Sequence, residues 1–400
     1  MKKLRLGFIV PYYHPNLIGG SEISVKLLAE KLVKKGIFVT VFSFDGEKYS
    51  EENIKNVRVI RHKVLTKKAM SLSLISPVYR TIKEWEDKID IFHVYNVFPL
   101  AGAGFYKLMG GKKKIISTLN NFGMLCPLSS LEKGCKKCNF LKRSKCLYDE
   151  SKGFYEKLMV LPYSLLFPIS TNLSKKIDIY IALSGSVKKT YEKFNFDKNK
   201  IIIIPNFFVP FDHKSKKNKQ KKDEISILYC GRIEKTKGVD LLIKAFSEII
   251  QKSNKKIKLI IVGGGRELEN CIKLAKELKA YNSINFVGKV AHENLPKYYS
   301  NADIFVHPGR GPESFSRSLN EALSFNIPCV VSDIGSSSEV IKDAGLVFRT
   351  GSIDDLKLKI KILIENKNLR RRLSKNCEKV SDFYKIDKVI NKIIKLYIKS

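Results

Sequence analysis

Short apolar runs and amphipathic stretches alternate along the whole chain. Near the start, the run at 6–10 predicts a buried strand, and the run at 37–42 predicts another. Between these runs, Ile23, Leu27 and Leu32 recur at the spacing of one helical face. The pattern therefore predicts a strand, a helix and a second strand, which is the unit from which parallel sheets are built.

This unit recurs in both halves of the chain. Strands that alternate with helices form parallel sheets whose two faces are covered by the helices. The sequence therefore predicts an α/β fold. The further predicted strands lie at 90–96, 114–119, 178–184, 201–204, 225–230, 257–262, 284–288, 302–306 and 329–331.

The chain is long enough for two domains. Its 400 residues exceed what one hydrophobic core usually organises. The run at 214–224 consists largely of Lys, Ser, Asn, Gln and Asp, and it is too polar to pack a core. We therefore predict a linker at 207–224 between a first domain at 1–206 and a second domain at 225–375, followed by a C-terminal helix at 376–400.

The segment from Glu313 to Glu321 follows the predicted strand at 302–306. A loop rich in Gly and Pro leads into it, and Ser314 or Ser316 can accept a hydrogen bond from the first turn of a helix. The free N–H groups and the positive dipole end of such a turn suit a diphosphate. Because Glu321 lies about two turns beyond Glu313, one carboxylate can meet a sugar ring and the other a ribose.

The residues at 312–323 read Pro-Glu-Ser-Phe-Ser-Arg-Ser-Leu-Asn-Glu-Ala-Leu, and a predicted strand follows them. This pattern resembles the Glu-x7-Glu signature of glycosyltransferase family 4, whose members are retaining enzymes that use nucleotide sugars and have the GT-B fold. The resemblance implies two Rossmann-like domains facing a central cleft, the first binding the acceptor and the second the nucleotide sugar. It also implies that the helix at 376–400 crosses back onto the first domain.

The resemblance assigns the donor diphosphate to the loop after the strand at 225–230. Gly231, Arg232 and Lys237 stand there in a Gly-Arg…Lys-Gly frame, and two cations on such a loop can neutralise a diphosphate. Glu313 is implied to orient the donor sugar and to stabilise positive charge at its anomeric carbon. We therefore expect Glu313, Arg232 and Lys237 to act in catalysis.

Further residues are implied to contact the nucleotide sugar. Gly19 and Gly20 form a loop that lets the backbone approach the donor, and Glu321 is expected to hold the ribose. Val287 belongs to a segment whose backbone is implied to contact the edge of the base. The remaining implied contacts come from a second glycine loop and from the start of the helix after Glu313: Gly264, Ser314, Phe315, Ser316 and Arg317.

The acceptor side is expected at strand ends in the first half of the chain. His14, Asn96 and Asn120 follow predicted strands, at the edge where open α/β sheets bind ligands. Many relatives have a His-Asp pair where this chain has Asn120-Asn121, and an Asn can bond a hydroxyl but cannot act as a base. His93, inside a predicted strand, fits a ligand contact and a hydrogen-bonded core histidine equally well.

Four of the eight cysteines cluster in an insertion predicted at 120–150. Cys135 and Cys138 have the spacing of half a tetrahedral zinc site, and Cys126 and Cys146 are the candidate partners. No signal peptide is recognised before the first strand, so we expect a reducing compartment, which favours a metal over disulfides. We expect a structural zinc site that takes no part in the chemistry, with free or redox-paired thiols as the alternative.

A net charge of +35 invites a nucleic-acid interpretation. However, the lysines are spread along the whole chain and no nucleic-acid-binding motif is recognised, so no nucleic-acid partner is expected. A positive surface also attracts anionic lipid headgroups, so we expect a cytoplasmic protein that is peripheral on the inner face of the cell membrane. The aromatic and apolar stretch at 154–169 is expected to be core rather than a lip that touches the membrane.

The predicted reaction is transfer of a hexosyl unit, with retention, from a UDP- or GDP-sugar to a hydroxyl of a glycan or lipid-linked acceptor, in cell-surface polysaccharide or glycolipid synthesis. No Asp-x-Asp pair stands at a predicted strand end, so no cofactor is expected for catalysis. A phosphorylase and a nucleotide-sugar epimerase remain enzymatic alternatives. A non-catalytic basic protein that binds membranes or nucleic acid is the third alternative.

Overall fold

The computed structural model describes residues 4–16, 19–63, 72–129, 131, 138–151, 153–209, 211 and 224–399. Two compact units make up the chain. The first comprises Met1–Asn206 and Ile386–Ser400, and the second comprises Phe207–Lys385. Most of the predicted linker, at 210 and 212–223, lies outside the described residues.

The described part of the first unit contains one eight-stranded sheet. Its central strands are buried along almost their whole length, as apolar strands are when helices cover both faces of a sheet. In chain order the strands are β1 (Arg5–Val10), β2 (Phe38–Gly46), β3 (Ser50–Ile54), β4 (Val57–Lys63), β5 (Ile91–Tyr95), β6 (Lys114–Leu119), β7 (Ile179–Ala182) and β8 (Ile201–Ile203). Across the sheet the order is β3-β4-β2-β1-β5-β6-β7-β8, and every neighbouring pair except β3 with β4 is parallel.

Helices connect these strands, and their apolar faces form the core with the sheet. In α1, for example, Leu28 and Leu32 are fully buried one turn apart. The helices described between the strands of this unit are α1 (Gly20–Lys34), α2 (Ile75–Trp85), α3 (Leu100–Leu108), α4 (Phe140–Glu150), α5 (Phe154–Leu158), α6 (Val160–Ser174) and α7 (Gly185–Lys193).

The described part of the second unit contains one six-stranded sheet in which every neighbouring pair is parallel. Its strands are β9 (Glu224–Cys230), β10 (Lys256–Val262), β11 (Ile284–Gly288), β12 (Ile304–His307), β13 (Cys329–Ser332) and β14 (Gly345–Phe348). Their order across the sheet is β11-β10-β9-β12-β13-β14. Because the strands are parallel, all their carboxyl ends lie at one edge, where ligands bind in open α/β sheets.

The helices of the second unit follow these strands in the alternation that the sequence predicts. The domain boundary predicted at 375 falls inside the last of them, because that helix continues without a break to Phe383. The helices are α8 (Val239–Lys252), α9 (Leu268–Glu277), α10 (Pro296–Ser300), α11 (Arg317–Ser324), α12 (Ser337–Ile341), α13 (Ile353–Glu365) and α14 (Lys367–Phe383).

The final helix, α15 (Ile386–Lys399), belongs to the first unit. The hydroxyl of its Tyr397 lies 2.6 Å from Nδ1 of His93, whose Nε2 lies 2.8 Å from the hydroxyl of Thr118. Burial lowers the pKa of His93 to about 3, so the ring is neutral at physiological pH. His93 is therefore a hydrogen-bonded core histidine, one of the two interpretations left open by the sequence.

The stretch at 154–169 is not core, and the prediction that it would be is wrong. It forms α5 and α6, and Phe154 is 79% exposed and Leu165 59% exposed. The buried face of α6 carries three serines, Val160 and Phe167, whereas Leu161, Leu165 and Leu166 face outwards. An apolar sequence does not reveal which of its faces the protein covers. No helix in the described parts of the chain is both long enough and apolar enough to cross a membrane.

Candidate active site

The loops that follow β9 and β10 are bonded to each other at the carboxyl edge of the second sheet. The N–H of Gly231 donates to the carbonyl of Val262 at 3.0 Å, and the N–H of Ile233 donates to that of Gly264 at 3.0 Å. Gly263 has a φ of 140°, and a Cβ there would lie 1.8 Å from the carbonyl oxygen of Gly231, so only glycine fits. This contact holds Gly231 and Gly264 close together.

The loops that follow β9 and β12 are also fixed to each other. The N–H of Arg310 donates to the carbonyl of Thr236 at 2.8 Å, and its guanidinium donates to both carboxylate oxygens of Asp240, at 2.7 and 2.6 Å. Gly238 has a φ of 68°, and a Cβ there would lie 2.1 Å from the carbonyl oxygen of Pro308. Because β9 and β12 are neighbours, these bonds bring the residues of both loops together.

The carboxylate of Glu313 lies between two basic side chains. The ammonium of Lys237 contacts its Oε1, and Nε2 of His307 lies 2.8 Å from its Oε2. His307 is the last residue of β12, so the strand positions the ring, whereas Lys237 comes from the loop after β9. The structure therefore brings two of the three predicted catalytic residues into direct contact.

Burial sets the charges in this cluster. Burial and, to a smaller extent, the positive charge of Arg232 lower the pKa of Lys237 to about 8, while the charge of Glu234 acts in the opposite direction. Burial also lowers the pKa of His307 to about 3, again assisted by Lys237. At pH 7 the ring of His307 is neutral, and Lys237 and the exposed Arg232 supply two positive charges close enough to repel each other.

The start of α11 is held next to Glu313. The hydroxyl of Ser316 accepts a hydrogen bond from the N–H of Leu319 at 3.4 Å, so Ser316 is the N-cap, as one of the two predictions had it. The N–H of Ser336 donates to the carbonyl of Glu313 at 3.0 Å. Gly335 has a φ of 69°, and a Cβ there would lie 2.5 Å from the nitrogen of Glu313. The loop after β13 therefore fixes the backbone of Glu313.

The other residues of the Glu-x7-Glu segment are mostly buried. Ser314 is buried, and the ring of Phe315 packs edge-on against Tyr384, with 5.5 Å between the centroids. Arg317 extends along α11, where its Nη2 lies 3.9 Å from Oε1 of Glu321. Packing against Tyr384 therefore accounts for the partial burial of Phe315, and the predicted donor contacts of Ser314 and Phe315 remain predictions.

Glu321 is buried and already engaged by other side chains. Nε2 of His292 lies 2.9 Å from its Oε1, and the hydroxyl of Tyr299 donates to its Oε2 at 2.9 Å. His292 in turn stacks on the ring of Phe211, with 4.9 Å between the centroids. His292, Tyr299 and His307 were not predicted as site residues. For His307 alone the sequence carries a signal, because it is a polar residue at a strand end.

Val287 lies at the end of β11, beside the glycine loop of β10. The carbonyl of the next residue, Gly288, accepts a hydrogen bond from the N–H of Gly263 at 2.8 Å. Val287 itself is partly buried against the core. The segment predicted to contact a base thus adjoins the loops that hold Gly231 and Gly264.

In the first unit, the predicted Gly19-Gly20 loop leads into α1. The N–H of Gly19 donates to Oε2 of Glu22 at 2.8 Å, so a carboxylate of the helix itself already caps this end. His14 lies in the loop after β1, and its carbonyl accepts a hydrogen bond from Arg61. Nδ1 of His14 is buried and has no hydrogen-bond partner among the described residues.

Three asparagines meet at the carboxyl ends of β5 and β6. Nδ2 of Asn121 donates to Oδ1 of Asn96 at 3.3 Å and to Oδ1 of Asn120 at 3.4 Å. Asn96 has a φ of 124°, which residues other than glycine rarely adopt, and such strain is concentrated at functional sites. The structure thus brings together Asn96 and Asn120, two of the three predicted acceptor residues.

The described residues do not support the predicted zinc site. They contain no group of three or more His, Cys, Asp or Glu side chains that could hold a metal ion. Cys126 is buried, Cys138 is partly buried and Cys146 is exposed. Cys135 lies outside the described residues.

Comparison with known sequences decides the family. The sequence model for Glycosyltransferase Family 4 matches residues 18–209, and the model for Glycosyl transferases group 1 matches residues 210–380. The chain belongs to glycosyltransferase family 4. A relative of this family 4 enzyme, an uncharacterised glycosyltransferase of Methanocaldococcus jannaschii, is 28% identical over 398 residues, which cover 94% of each chain.

Solved structures with similar folds show the fold of the chain. Sucrose-phosphate synthase from Thermosynechococcus elongatus has a TM-score of 0.74 and 19% identity, with 99% of each chain covered. HepE of Anabaena in complex with UDP has a TM-score of 0.72 and 16% identity, with 99% of this chain and 100% of that chain covered. The family 4 enzyme therefore has the GT-B fold, and the predictions of family, fold and glycosyltransferase activity are confirmed.

Proposed function

We propose that the enzyme transfers a hexosyl unit from a UDP-sugar to a hydroxyl of a glycan or lipid-linked acceptor, with retention at the anomeric carbon. The observation that carries this proposal is the cluster of Lys237, Glu313 and His307 at the carboxyl ends of β9 and β12, with Arg232 close by. Two cations and a carboxylate at such an edge match the charges of a departing diphosphate and of an electron-poor sugar carbon.

The departing diphosphate is assigned to Arg232, Lys237 and the first turn of α11. Lys237 and Arg232 supply positive charge, and the turn supplies N–H groups and the positive end of the helix dipole. Deleting one preorganised donor of this kind costs about 2.7–4 kcal/mol of transition-state stabilisation in enzymes. We propose that these groups suffice without a divalent cation.

Glu313 is assigned to the donor sugar. Its backbone is fixed by Ser336 and its carboxylate lies in contact with Lys237 and beside His307, so the negative charge is in place before the donor binds. A fixed carboxylate near the anomeric carbon stabilises the positive charge that develops there. Because His307 is neutral, it borders this carboxylate without adding a charge of its own.

The nucleotide is assigned to the rest of the loops at this edge. Glu321 accepts a hydrogen bond from a ribose hydroxyl in this proposal, and the backbone at Val287 contacts the base. Gly231, Gly264 and the start of α11 (Ser314, Phe315, Ser316 and Arg317) contact the rest of the nucleotide sugar in this proposal, and the contact expected from Gly19-Gly20 remains a prediction. The UDP bound to HepE supports a uridine nucleotide over a guanosine nucleotide.

The acceptor is assigned to the first unit, at His14, Asn96 and Asn120. Asn120 can hold a hydroxyl but cannot remove its proton, so an oxygen of the departing diphosphate takes the proton in this proposal. The acceptor then attacks on the face from which the nucleotide leaves, which gives retention without a protein nucleophile. Cell-surface polysaccharide or glycolipid synthesis on the inner face of the cell membrane is the proposed setting.

Product analysis tests this function. The enzyme is incubated with UDP-glucose, UDP-galactose, UDP-N-acetylglucosamine or GDP-mannose and a panel of glycan and lipid acceptors, and proton NMR reads the new anomeric centre. We expect a UDP-sugar to give a product with the donor's own configuration, at an unchanged rate in EDTA. An inverted product, a free isomerised nucleotide sugar or dependence on inorganic phosphate would contradict the proposal.

A further inference from the structure

Helices α5 and α6 expose a continuous series of large apolar side chains. We call this the apolar helix surface and define it as Phe154, Leu158, Leu161, Leu165, Leu166 and Ile169, each of which is at least 44% exposed. Scattered exposed apolar residues are ordinary, but six within sixteen residues are not. The side chains that face water here would normally be covered by another molecule.

Helix α6 is packed with most of its large apolar side chains outwards, whereas Val160 and Phe167 are buried. Its protein-facing side includes Ser164, Ser170 and Ser174, which are fully buried. Small side chains allow close approach: a Cβ on Gly104 of α3 would lie 1.9 Å from the carbonyl oxygen of Leu173. The fold therefore covers the serine-bearing face of the helix and leaves Leu161, Leu165 and Leu166 for a partner.

A buried arginine fixes this orientation. The guanidinium of Arg143 on α4 donates to the carbonyl of Ser164 at 2.5 Å and lies 5.1 Å from the ring centroid of Phe167. Because Arg143 is itself buried, rotating α6 to hide the leucines would break this contact and leave the carbonyl of Cys138, at 3.0 Å, to bond the buried charge. The exposure of these apolar side chains thus follows from the way α6 packs within the first unit.

We infer that the apolar helix surface docks onto an anionic lipid bilayer. The net charge of +35 attracts the enzyme to anionic headgroups, whereas two copies of the chain repel each other. On α4 and α5, the exposed Lys142, Lys145 and Lys157 are balanced by Asp149, Glu150 and Glu156, so the attraction comes from the whole chain. The six apolar side chains then enter the boundary between headgroups and acyl chains.

This surface is connected to the candidate acceptor residues. The hydroxyl of Thr171, less than one turn beyond Ile169, donates to the carbonyl of Met124 at 2.8 Å, and Ser174 donates to its sulfur at 2.9 Å. Met124 follows Asn121, which bonds Asn96 and Asn120. If the proposed function holds, docking places the acceptor loop close to the membrane, where a lipid-linked hydroxyl lies.

Vesicle co-sedimentation without any nucleotide sugar tests the inference. The probes are vesicles of phosphatidylglycerol and phosphatidylcholine in equal parts, and of phosphatidylcholine alone. The triple variant Leu161→Gln, Leu165→Gln, Ile169→Gln keeps helix-forming residues at exposed positions. Its matched control, Leu108→Gln, Leu358→Gln, Ile398→Gln, changes three exposed helical residues elsewhere. We expect the wild type and the control to bind the anionic vesicles, and the triple variant to bind them at least tenfold less.

A fluorescence measurement keeps the test independent of the triple variant's folding. Trp85 is the chain's single tryptophan and is buried, so a second tryptophan at an exposed site reports its own surroundings. Phe154→Trp should shift its emission to shorter wavelengths when anionic vesicles are added, and Leu358→Trp should not. Equal vesicle binding by wild type and triple variant, or no shift for Phe154→Trp, would overturn the inference.

Light scattering distinguishes a second copy of the chain from the membrane. A wild-type dimer that the triple variant dissociates, with vesicle binding unchanged, would show that the surface joins two copies and would overturn the inference. Vesicle binding and activity on a soluble acceptor are separate readouts. Failure of the inference is therefore distinguishable from failure of the proposed function.

Discussion

Nε2 of His307 lies 2.8 Å from Oε2 of Glu313, while the ammonium of Lys237 contacts the other oxygen of the same carboxylate. A neutral ring and a cation from two neighbouring strand ends therefore lie on either side of one negative charge. In our proposal this arrangement separates two tasks, because Lys237 serves the diphosphate and Glu313 serves the sugar.

Replacing Glu313 by glutamine should slow transfer more than it weakens nucleotide binding. The amide keeps the size of the side chain but removes the charge that stabilises the anomeric carbon, so we expect kcat to fall by about 10²–10³. The Kd for UDP, measured by calorimetry, should change less than about threefold. The control Glu277→Gln alters an exposed carboxylate of the same unit and should leave both kcat and the Kd for UDP unchanged. An unchanged kcat for Glu313→Gln would remove this residue from the mechanism.

Adding one methyl group at Gly335 should reduce activity through the backbone of Glu313. Both Gly335 and Gly351 have a positive φ, so alanine at either position costs about 1 kcal/mol or more of unfolding free energy. At Gly335 alone the new Cβ meets the backbone of Glu313, whereas nothing lies within 4 Å of it at Gly351. We expect kcat to fall for Gly335→Ala and not for Gly351→Ala; equal kcat values in the two variants would contradict this positioning.

Part of the candidate site was predictable from sequence because strand ends and helix caps leave local signals. The strand before His307, the Ser316 cap and the glycine loops are each set by a few adjacent residues, and the structure has them where the pattern predicts. The contact of His307 with Glu313 was missed although the ring stands at a strand end. The Arg310–Asp240 pair was missed because its partners are far apart in sequence.

The error over α5 and α6 has a different physical cause. A stretch such as Leu158 to Ile169 is apolar on most faces, and apolar composition normally indicates burial. Which face is covered depends on Gly104 and Arg143, whose contacts with α6 are set by tertiary packing. Likewise, the engagement of Glu321 by Tyr299 depends on the packing of α10 against α11 and has no local signal.

Nucleotide affinity should fall as the pH rises past about 8. Below that pH Lys237 carries its charge, and above it the free enzyme loses the proton because burial lowers this pKa from 10.5 to about 8. A bound diphosphate favours the charged form, so binding above pH 8 takes up a proton and the Kd for UDP rises by up to about tenfold per pH unit. Lys237→Arg stays charged throughout. Calorimetry from pH 7 to 10 should show this rise in the wild type and not in the variant; parallel curves would exclude Lys237 as the titrating group.

Glu321 should determine whether the ribose hydroxyls are recognised. We expect the wild type to bind UDP about tenfold more tightly than 2′,3′-dideoxy-UDP, because the buried carboxylate loses a hydrogen-bond donor with the second ligand. In Glu321→Gln this ratio should shrink, while Glu277→Gln should keep it. A ratio that is the same in all three proteins would place the ribose elsewhere.

The most direct test of the central claim is calorimetric titration of UDP and GDP into the wild type and three single variants. Arg232→Ala and Lys237→Ala remove the cations assigned to the diphosphate, and Lys235→Ala removes an exposed lysine of the same loop as a matched control. We expect UDP to bind the wild type and Lys235→Ala equally, and to bind the other two at least tenfold more weakly, with circular dichroism unchanged. Equal UDP affinity in all four proteins, or no binding of either nucleotide by the wild type, would contradict a diphosphate site in the second unit.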